Sequence, residues 1–262
     1  MKTFSKIYNA LIFAFLYIPI VVLIVFSFNS SKSRTTWHGF STKWYTQLFN
    51  NPELMHALFI TITIALLSTV IATIIGTITA IGLNGANKKL KKAMLAVNNI
   101  PMINPEIVTG VSLMLMFAFI YRSTGRFQLG YGTLLIAHVT FCIPYVVLQV
   151  MPRLRKMNKH MYEAALDLGC KPAKALFKVV LPEIMPGIVT GALMAFTVSL
   201  DDFVISLFTA GSTAQNLSVE IYSMMKRRVT PEINALSTLM FGTVLIILVL
   251  VNVLQMRELK KK

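Results

Sequence analysis

Charged residues are scarce in this sequence. Only 13% of its 262 residues are Asp, Glu, Lys or Arg, whereas 55% are hydrophobic. A soluble domain usually carries about 25% charged residues, so this chain lacks the polar groups needed to cover a globular surface of its size. The composition excludes a soluble enzyme, a disordered chain and a secreted disulfide scaffold. It indicates that the solvent of this protein is the lipid bilayer.

Sequence signatures of metal binding and of nucleotide binding are missing as well. The two cysteines, Cys142 and Cys170, lie in an apolar run and in a lysine-rich segment, and no C-x-x-C or Cys/His cluster is present. A disulfide or a metal site is therefore not expected. The sequence also lacks a G-x-x-x-x-G-K-S/T phosphate loop. We expect no catalytic residues, no metal and no bound cofactor on this chain.

What the sequence contains instead is long apolar runs. A membrane-spanning helix needs about 20 mainly apolar residues. Six segments meet this requirement, at approximately Ile7–Phe28, Ala57–Leu83, Ile103–Tyr121, Thr133–Met151, Ile184–Thr209 and Ala235–Met256. The first run is longer than the core of a signal peptide and has no A-x-A cleavage site, so we expect it to be retained. The sequence predicts an all-α integral membrane protein with six transmembrane helices.

Basic residues are distributed unevenly among the segments that connect these spans. Lys and Arg outnumber Asp and Glu by 25 to 10, which gives a formal net charge of +15. If the N-terminus is cytoplasmic, 17 basic residues fall inside and 8 outside. Because cytoplasmic loops carry an excess of Lys and Arg, we predict that both termini are cytoplasmic. The net charge then reports orientation in membrane lipid and requires no nucleic-acid partner.

The stretch from Pro152 to Glu183 is predicted to be a cytoplasmic helix-turn-helix. Gly169 tolerates the left-handed conformation that ends a helix, and Pro172 suits the first position of the next helix. Pro182 and Pro186 are expected to break the chain before the fifth span. Before Gly169, the i, i+3, i+4, i+7 spacing of one buried face is met by Met161, Ala164, Ala165 and Leu168. A second apolar stripe follows at Ala173, Leu176, Phe177, Val180 and Leu181.

This hairpin has two interpretations. An amphipathic helix with small residues on its apolar face is suited to lie in the groove of a partner protein, which is a recurrent docking mode. Alternatively, the segment is a solvated surface hairpin, in which Lys159 and Glu163 form an i, i+4 pair of little energetic value. The residue pattern by itself leaves both interpretations open.

The same loop resembles the EAA loop of ABC-importer permeases. It contains Glu163-Ala164-Ala165, then Gly169 after three residues, then Val179-Val180-Leu181-Pro182 after nine more. Val179 stands where that family more often has isoleucine. The resemblance implies a type I (MetI-like) importer core and docking on a separate ATPase that carries the ATP and Mg. The implied coupling residues are Glu163, Ala164, Ala165, Leu168, Gly169, Phe177, Leu181 and Pro182.

Further strings resemble the PotC type of spermidine/putrescine permease. They are Tyr17-Ile18-Pro19-Ile20, the stretch from Phe26 to Ser31, Gly39 to Tyr45, Ser199 to Phe203, and Ile221 to Met224. This resemblance covers nearly the whole chain. It implies a bacterial inner (plasma) membrane location, a polyamine substrate, a PotB-like second permease, two copies of a PotA-like ATPase and a periplasmic PotD-like binding protein.

A pathway for polyamines needs carboxylates and aromatic faces, because these substrates are flexible polycations. The predicted spans hold three carboxylates: Glu106, which lies nearer the cytoplasm, and Asp201 and Asp202, which lie in the outer half. Tyr145 and Phe203 are the candidate aromatic walls.

Each carboxylate also has a second interpretation. Adjacent helical residues diverge by about 100°, so at most one of Asp201 and Asp202 faces the pathway squarely, while the other pairs with the partner permease or caps a broken helix. Glu106 follows Pro105 and suits the first turn of a helix, where the dipole stabilises it. His138, in the fourth span, is expected to be a hydrogen-bonded packing residue rather than a proton relay.

Three parts are predicted along the chain. Residues 1–56 hold the first span and a periplasmic interfacial segment, residues 57–256 form a five-helix core with the coupling loop at 152–183, and residues 257–262 form a basic cytoplasmic tail. Rival functions remain: an importer permease for an amino acid, thiamine or iron, an ion-coupled carrier or channel, and a membrane scaffold without transport. The in-span carboxylates favour a cation as substrate, and the coupling loop favours an ATP-driven importer.

Overall fold

The computed structural model describes residues 2–32, 36–227 and 232–259, and these residues form α-helices joined by short connections. The helices are α1 Lys2–Ser27, α2 Lys43–Phe49, α3 Pro52–Gly85, α4 Lys88–Ile103, α5 Glu106–Thr124, α6 Tyr131–Lys156, α7 Lys159–Asp167, α8 Pro172–Ala175, α9 Leu181–Asp201, α10 Val204–Thr209, α11 Leu217–Arg227 and α12 Glu232–Leu259. A π-helical turn, Leu176–Val180, joins α8 to α9.

The chain divides into two compact units. The first comprises Met1–His56 and Glu220–Lys262, and the second comprises Ala57–Val219. In the first unit, α12 packs against α1 and α2. The buried indole of Trp44 donates a 2.6 Å hydrogen bond to the backbone oxygen of Asn29, and Tyr45 bonds to Ser27 at 2.7 Å. These hydrogen bonds connect the C-terminal end of α1 to α2.

The core of the second unit lies along the contact between α6 and α9. Val146, Val147 and Val150 of α6 and Ile184 of α9 are fully buried there. The two helices approach closely at Gly191, where an added Cβ atom would lie 3.2 Å from the Cα of Val146. Interdigitated aliphatic side chains therefore hold these two helices together.

In the part of the chain that the structure describes, four helical segments are long and apolar enough to cross a membrane: Pro52–Gly85, Glu106–Thr124, Tyr131–Lys156 and Pro172–Asp201. Leu11–Ser27 and Glu232–Ile246 are shorter apolar stretches within α1 and α12. The count of six spans, the cytoplasmic termini and the three-part division remain predictions. Residues 260–262 of the predicted basic tail lie outside the described residues.

The predicted break at Pro182 and Pro186 is wrong. The helix continues from Pro172 to Asp201, with Pro182 in the first turn of α9 and Pro186 inside that helix. The π-helical turn accounts for this continuity, because its last hydrogen bond joins the Leu181 N–H to the Leu176 oxygen. Proline donates no backbone hydrogen bond, and Pro182 follows the point where the regular α-helical pattern is already interrupted.

The predicted fifth span, at approximately Ile184–Thr209, is not one continuous helix. The helix breaks near the C-terminal end of this segment, where α9 stops at Asp201 and α10 starts at Val204. Asp202 has an extended backbone conformation, with φ −64° and ψ 127°. The reason for this break lies in the side chains that surround Asp202, which are described below.

Candidate functional site

The hairpin between α6 and α9 has the turn that its sequence predicts. Gly169 has a φ of +82°, in the left-handed region, and Pro172 begins α8. The Gly169 N–H donates to the Leu166 oxygen at 2.8 Å, and the Cys170 N–H donates to the Ala165 oxygen at 3.0 Å. This pair of bonds is a Schellman motif, which satisfies carbonyls at the end of α7 and fixes the direction in which the chain leaves it.

Three of the four residues on the predicted apolar face of α7 are exposed in this chain. Only Ala165 is buried, while Ala164 is exposed, Met161 is 43% exposed and Leu168 is 86% exposed. Phe177, on the second half of the hairpin, is 65% exposed. The apolar side chains at the tip thus have no cover within the described part of the chain.

The other side of the hairpin is anchored in the core. Val180 is buried beside Leu154 of α6, and Leu176, Leu181 and Tyr162 are partly buried against the same cluster. The exposed part carries Glu163, which bonds to His160 at 3.0 Å, and also Pro182. The Lys159 side chain of the predicted surface pair lies outside the described residues. The base of the hairpin is therefore packed into the same apolar cluster as residues of α6 and α9.

The two adjacent aspartates at the helix break differ in their surroundings. Asp201 is exposed, whereas Asp202 is only 7% exposed, and Phe203 is half-buried. Asp202 accepts hydrogen bonds from the Ile205 N–H at 3.3 Å and from the Ser206 N–H at 2.8 Å. Its carboxylate therefore caps the N-terminus of α10, where helical N–H groups have no partner within the helix.

A buried polar cluster surrounds Asp202, and we call it the polar node. It draws on α3, α6, α9, α10 and the loop before α11, and its members are Ser68, His138, Ser199, Asp202, Ser206 and Asn216. His138 bonds to Ser199 through Nδ1 at 2.7 Å and to Ser206 through Nε2 at 2.9 Å, and Nε2 lies 3.5 Å from an Asp202 oxygen. Ser68 bonds to Ser199 at 2.9 Å.

The hydroxyl of Ser206 fixes the direction of these hydrogen bonds. It donates its only proton to Asp202 at 2.7 Å and accepts from the Asn216 amide at 2.8 Å. A hydroxyl has one proton and two lone pairs, so His138 must donate from Nε2 to fill the remaining acceptor position. With a neutral imidazole, Ser199 then donates to Nδ1. His138 is thus a buried, hydrogen-bonded residue.

Glu106 and Tyr145 lie elsewhere in the same unit. Glu106 is exposed in the first turn of α5, directly after Pro105, and Tyr145 is half-buried with its ring 5.5 Å from that of Phe141. One turn after Glu106, α5 packs against α10 at Gly110. The structure therefore brings the start of α5 close to the helix that follows the break.

Sequence reasoning missed most of the polar node. Ser68, Ser199, Ser206 and Asn216 were not expected to act together, and the partners of His138 were not predicted. One local signal is present in the sequence, because Asp202 lies three residues before Ile205, which is the spacing of an N-cap side chain and the N–H it accepts from. Among the described residues, no group of three His, Cys, Asp or Glu side chains is arranged to hold a metal ion.

Comparison with known proteins identifies relatives over nearly the whole length. The family described as "Binding-protein-dependent transport system inner membrane component" matches residues 72–257. The spermidine/putrescine transport system permease protein PotC of Haemophilus influenzae is 42% identical over 239 residues, which cover 91% of each chain. The putrescine transport system permease protein PotI of Escherichia coli is 41% identical over 234 residues, which cover 88% of this chain and 83% of the relative.

The fold is shared with a solved transporter. A chain of a bacterial ABC transporter involved in the import of the acidic polysaccharide alginate aligns with a TM-score of 0.77. The alignment covers 97% of this chain and 95% of the other, at 16% sequence identity. At this identity the likeness concerns the fold alone. The resemblance to importer permeases that the sequence predicts is thus confirmed.

Proposed function

Because this chain belongs to the family of binding-protein-dependent transport system inner membrane components, we propose that it is the permease subunit of an ATP-driven ABC importer for polyamines. The observation that carries the proposal is the 42% identity to a spermidine/putrescine permease over nine-tenths of both chains. The chain supplies half of a translocation pathway and performs no chemistry of its own. Its partners are a PotB-like permease, two PotA-like ATPase subunits and a periplasmic PotD-like binding protein.

The hairpin is the proposed contact with the ATPase. Leu168 and Phe177 expose most of their apolar surface in a segment that lies in the cytoplasm under the proposed orientation. Burying a side chain of this kind in a partner contributes roughly 1.5–3 kcal/mol. The Schellman turn at Gly169 holds the two halves of the hairpin at a fixed angle, so the docked hairpin moves as one body.

The proposed coupling is a two-state movement. Closure of the ATPase dimer displaces the hairpin, and the packed residues Val180, Leu181 and Leu154 pass this displacement to α6 and α9. A ligand or partner shifts such an equilibrium by the difference in its affinity for the two states. ATP binding and release thereby alternate the access of the pathway between the two sides of the membrane.

The proposed substrate contacts lie around the helix break. Asp201 offers an exposed carboxylate, Glu106 offers a second one at the start of α5, and Tyr145 and Phe203 offer aromatic faces. A carboxylate in a transmembrane segment is costly, at about 2.5–3.5 kcal/mol on insertion scales, so such residues are rarely idle. Separated carboxylates suit a substrate whose ammonium groups are themselves separated by flexible methylene chains.

Reconstitution tests this function directly. The chain is co-expressed with its second permease and ATPase, the complex is placed in liposomes with ATP inside, and radiolabelled spermidine or putrescine is offered with the binding protein. We expect uptake that requires both ATP and this chain. Uptake without ATP would support an ion-coupled carrier instead. ATP-dependent uptake of labelled amino acid, thiamine or iron, but not of polyamine, would contradict the proposed substrate.

A further inference from the structure

The polar node accounts for the place where α9 ends. The Asp202 side chain caps α10, and the Asp202 backbone oxygen accepts a 2.9 Å hydrogen bond from the Asn216 amide. Asn216 is itself held in place, because its side-chain oxygen accepts from the Val219 N–H at 3.0 Å. Side chain and main chain of Asp202 are therefore both fixed by groups that come from other parts of the fold.

Substrate cannot use the Asp202 carboxylate while the node is intact. The side chains of His138 and Asp202 are each only 2% exposed. One carboxylate oxygen accepts from the N–H and the hydroxyl of Ser206 and faces His138, and the other accepts from the Ile205 N–H. A buried charge with this many donors is already compensated, and a substrate ammonium would have to displace a protein donor to reach it.

Asp201 is in the opposite situation. It is exposed, and no hydrogen bond to its side chain is found among the described residues. It is the last residue of α9, and Phe203 follows directly after Asp202. The directions of Asp201 and Phe203 are therefore set by the backbone conformation of Asp202, which the node holds.

We propose that His138 and Asn216 are positioning residues that hold Asp202 as an internal helix cap and thereby aim the neighbouring Asp201 and Phe203 at the substrate. The two aspartates have different functions: Asp202 shapes the site, and Asp201 contacts the cation. This inference rests on the proposed polyamine transport. His138 acts through Asp202 and does not touch the substrate.

A selectivity measurement separates positioning from folding. Spermidine and putrescine differ in length and in number of ammonium groups, so a displaced Asp201 changes the ratio of their uptake rates. A loss of folded complex lowers both rates equally. We expect His138→Leu to change this ratio by about threefold or more at saturating binding protein, which corresponds to a modest change in differential binding. His138→Gln, which keeps a donor near the Nε2 position, is expected to restore the ratio to within about twofold of the parent.

A double-mutant cycle tests whether His138 acts through Asp202. If it does, His138→Leu combined with Asp202→Asn changes the ratio no more than either substitution alone, because the second change removes nothing further. The matched control is Val146→Ala, which removes a buried side chain two turns further along α6 and no polar atom. The control is expected to leave the ratio unchanged even if the amount of complex falls.

Three results would overturn the proposal. They are an unchanged ratio in His138→Leu, independent effects that multiply in the double variant, and a control that shifts the ratio as much as His138→Leu does. Failure of the parent complex to transport either polyamine would refute the proposed function instead.

A further measurement needs no substrate at all. Amide hydrogen exchange of the full chain in lipid nanodiscs reports on the N–H groups of Ile205 and Ser206, which Asp202 caps. We expect faster exchange at these two amides in His138→Leu and in Asn216→Leu than in Val146→Ala. Equal exchange in all three variants would show that the node does not hold the break, whatever the protein transports.

Discussion

At the scale of single residues, the proposed function depends on the few acids of this chain. Ten Asp and Glu residues stand against 25 Lys and Arg, and the two aspartates at the helix break differ completely in exposure. The buried charge of Asp202 is compensated by hydrogen bonds within the protein, whereas the charge of Asp201 is exposed. Two aspartates that are adjacent in sequence thus have different surroundings, because α9 ends at the first of them.

Asp201→Asn is predicted to impair transport and leave folding intact. The substitution removes an exposed negative charge from the proposed pathway, so polyamine uptake per complex should fall by about tenfold or more, equivalent to about 1.4 kcal/mol. The melting temperature of the complex should change little, because the side chain makes no hydrogen bond among the described residues. Uptake by proteoliposomes and thermal unfolding of the same preparation check both expectations.

Glu53→Gln provides the control for this charge removal. Glu53 is an exposed acid in the first turn of α3 with no proposed role, so its neutralisation should leave uptake unchanged. If Asp201→Asn transports at the rate of the Glu53→Gln complex, Asp201 does not contact the substrate.

At the scale of secondary-structure elements, the hairpin is notable because it exposes large apolar side chains. Leu168 and Phe177 are 86% and 65% exposed, and exposed apolar side chains clustered at one tip mark an interaction site. The same hairpin is fixed internally by its Schellman turn and by Val180 in the core. It combines a rigid base with an uncovered tip, as a docking element requires.

Phe177→Ala is predicted to weaken binding of the ATPase without destabilising this chain. Loss of a buried aromatic contact should lower affinity by about tenfold or more, from a burial contribution of roughly 1.5–3 kcal/mol. Titration of purified ATPase onto the permease in nanodiscs measures the change. Phe119→Ala removes a similarly exposed aromatic residue, 72% exposed, from helix α5 and should leave ATPase affinity unaltered. Equal affinities of the two variants would exclude Phe177 from the contact.

Gly169→Ala is predicted to uncouple ATP hydrolysis from uptake. Nothing lies within 4 Å of an added Cβ, so the whole cost comes from the φ of +82°, which a side chain tolerates poorly at about 1–2 kcal/mol. The hairpin should relax to another angle, and the amount of polyamine imported per ATP hydrolysed should fall.

Gly82→Ala is the matched control for the turn. This glycine of α3 also has open space around it, but its φ lies outside the left-handed region. We expect unchanged uptake per ATP there. A normal ratio in Gly169→Ala would mean that the angle of the hairpin does not govern coupling.

At the scale of the whole molecule, the proposed orientation places both termini on the cytoplasmic side. A C-terminal epitope tag should resist external protease in intact spheroplasts and be cleaved after permeabilisation, as an even number of spans requires. A tag after Lys2 should behave in the same way. Cleavage of only one of the two tags in intact cells would mean an odd number of spans, and cleavage of both would mean the opposite orientation.

The sequence predicts the larger features of the fold well, because they depend on local composition. A stretch of about 20 apolar residues can be recognised in the sequence alone. Four of the predicted spans correspond to long apolar helices among the described residues. The turn at Gly169 and the helix start at Pro172 follow from the conformational limits of single residues. The coupling-loop motif likewise lies within one short segment.

Other features depend on partners that are distant in sequence. Whether Pro182 breaks a helix is decided by the π-helical turn before it and by the packing of Val180 and Ile184. We propose that the break in the fifth span depends on His138, which lies 61 and 68 residues from its partners Ser199 and Ser206. A pattern search over a short stretch of sequence cannot detect contacts between residues that are this far apart in the chain.

Composition and local pattern are enough to predict the membrane environment, the helical class, the family resemblance and the acidic residues that we propose to bind substrate. Which of the two aspartates is accessible to a cation depends on the folded structure, in which Asp202 is buried and Asp201 is exposed. The physical reason is that a buried carboxylate persists only where donors surround it, and the donors of Asp202 and its neighbours are assembled from four helices and a loop. These donors hold Asp202 in the protein interior, whereas Asp201 remains exposed.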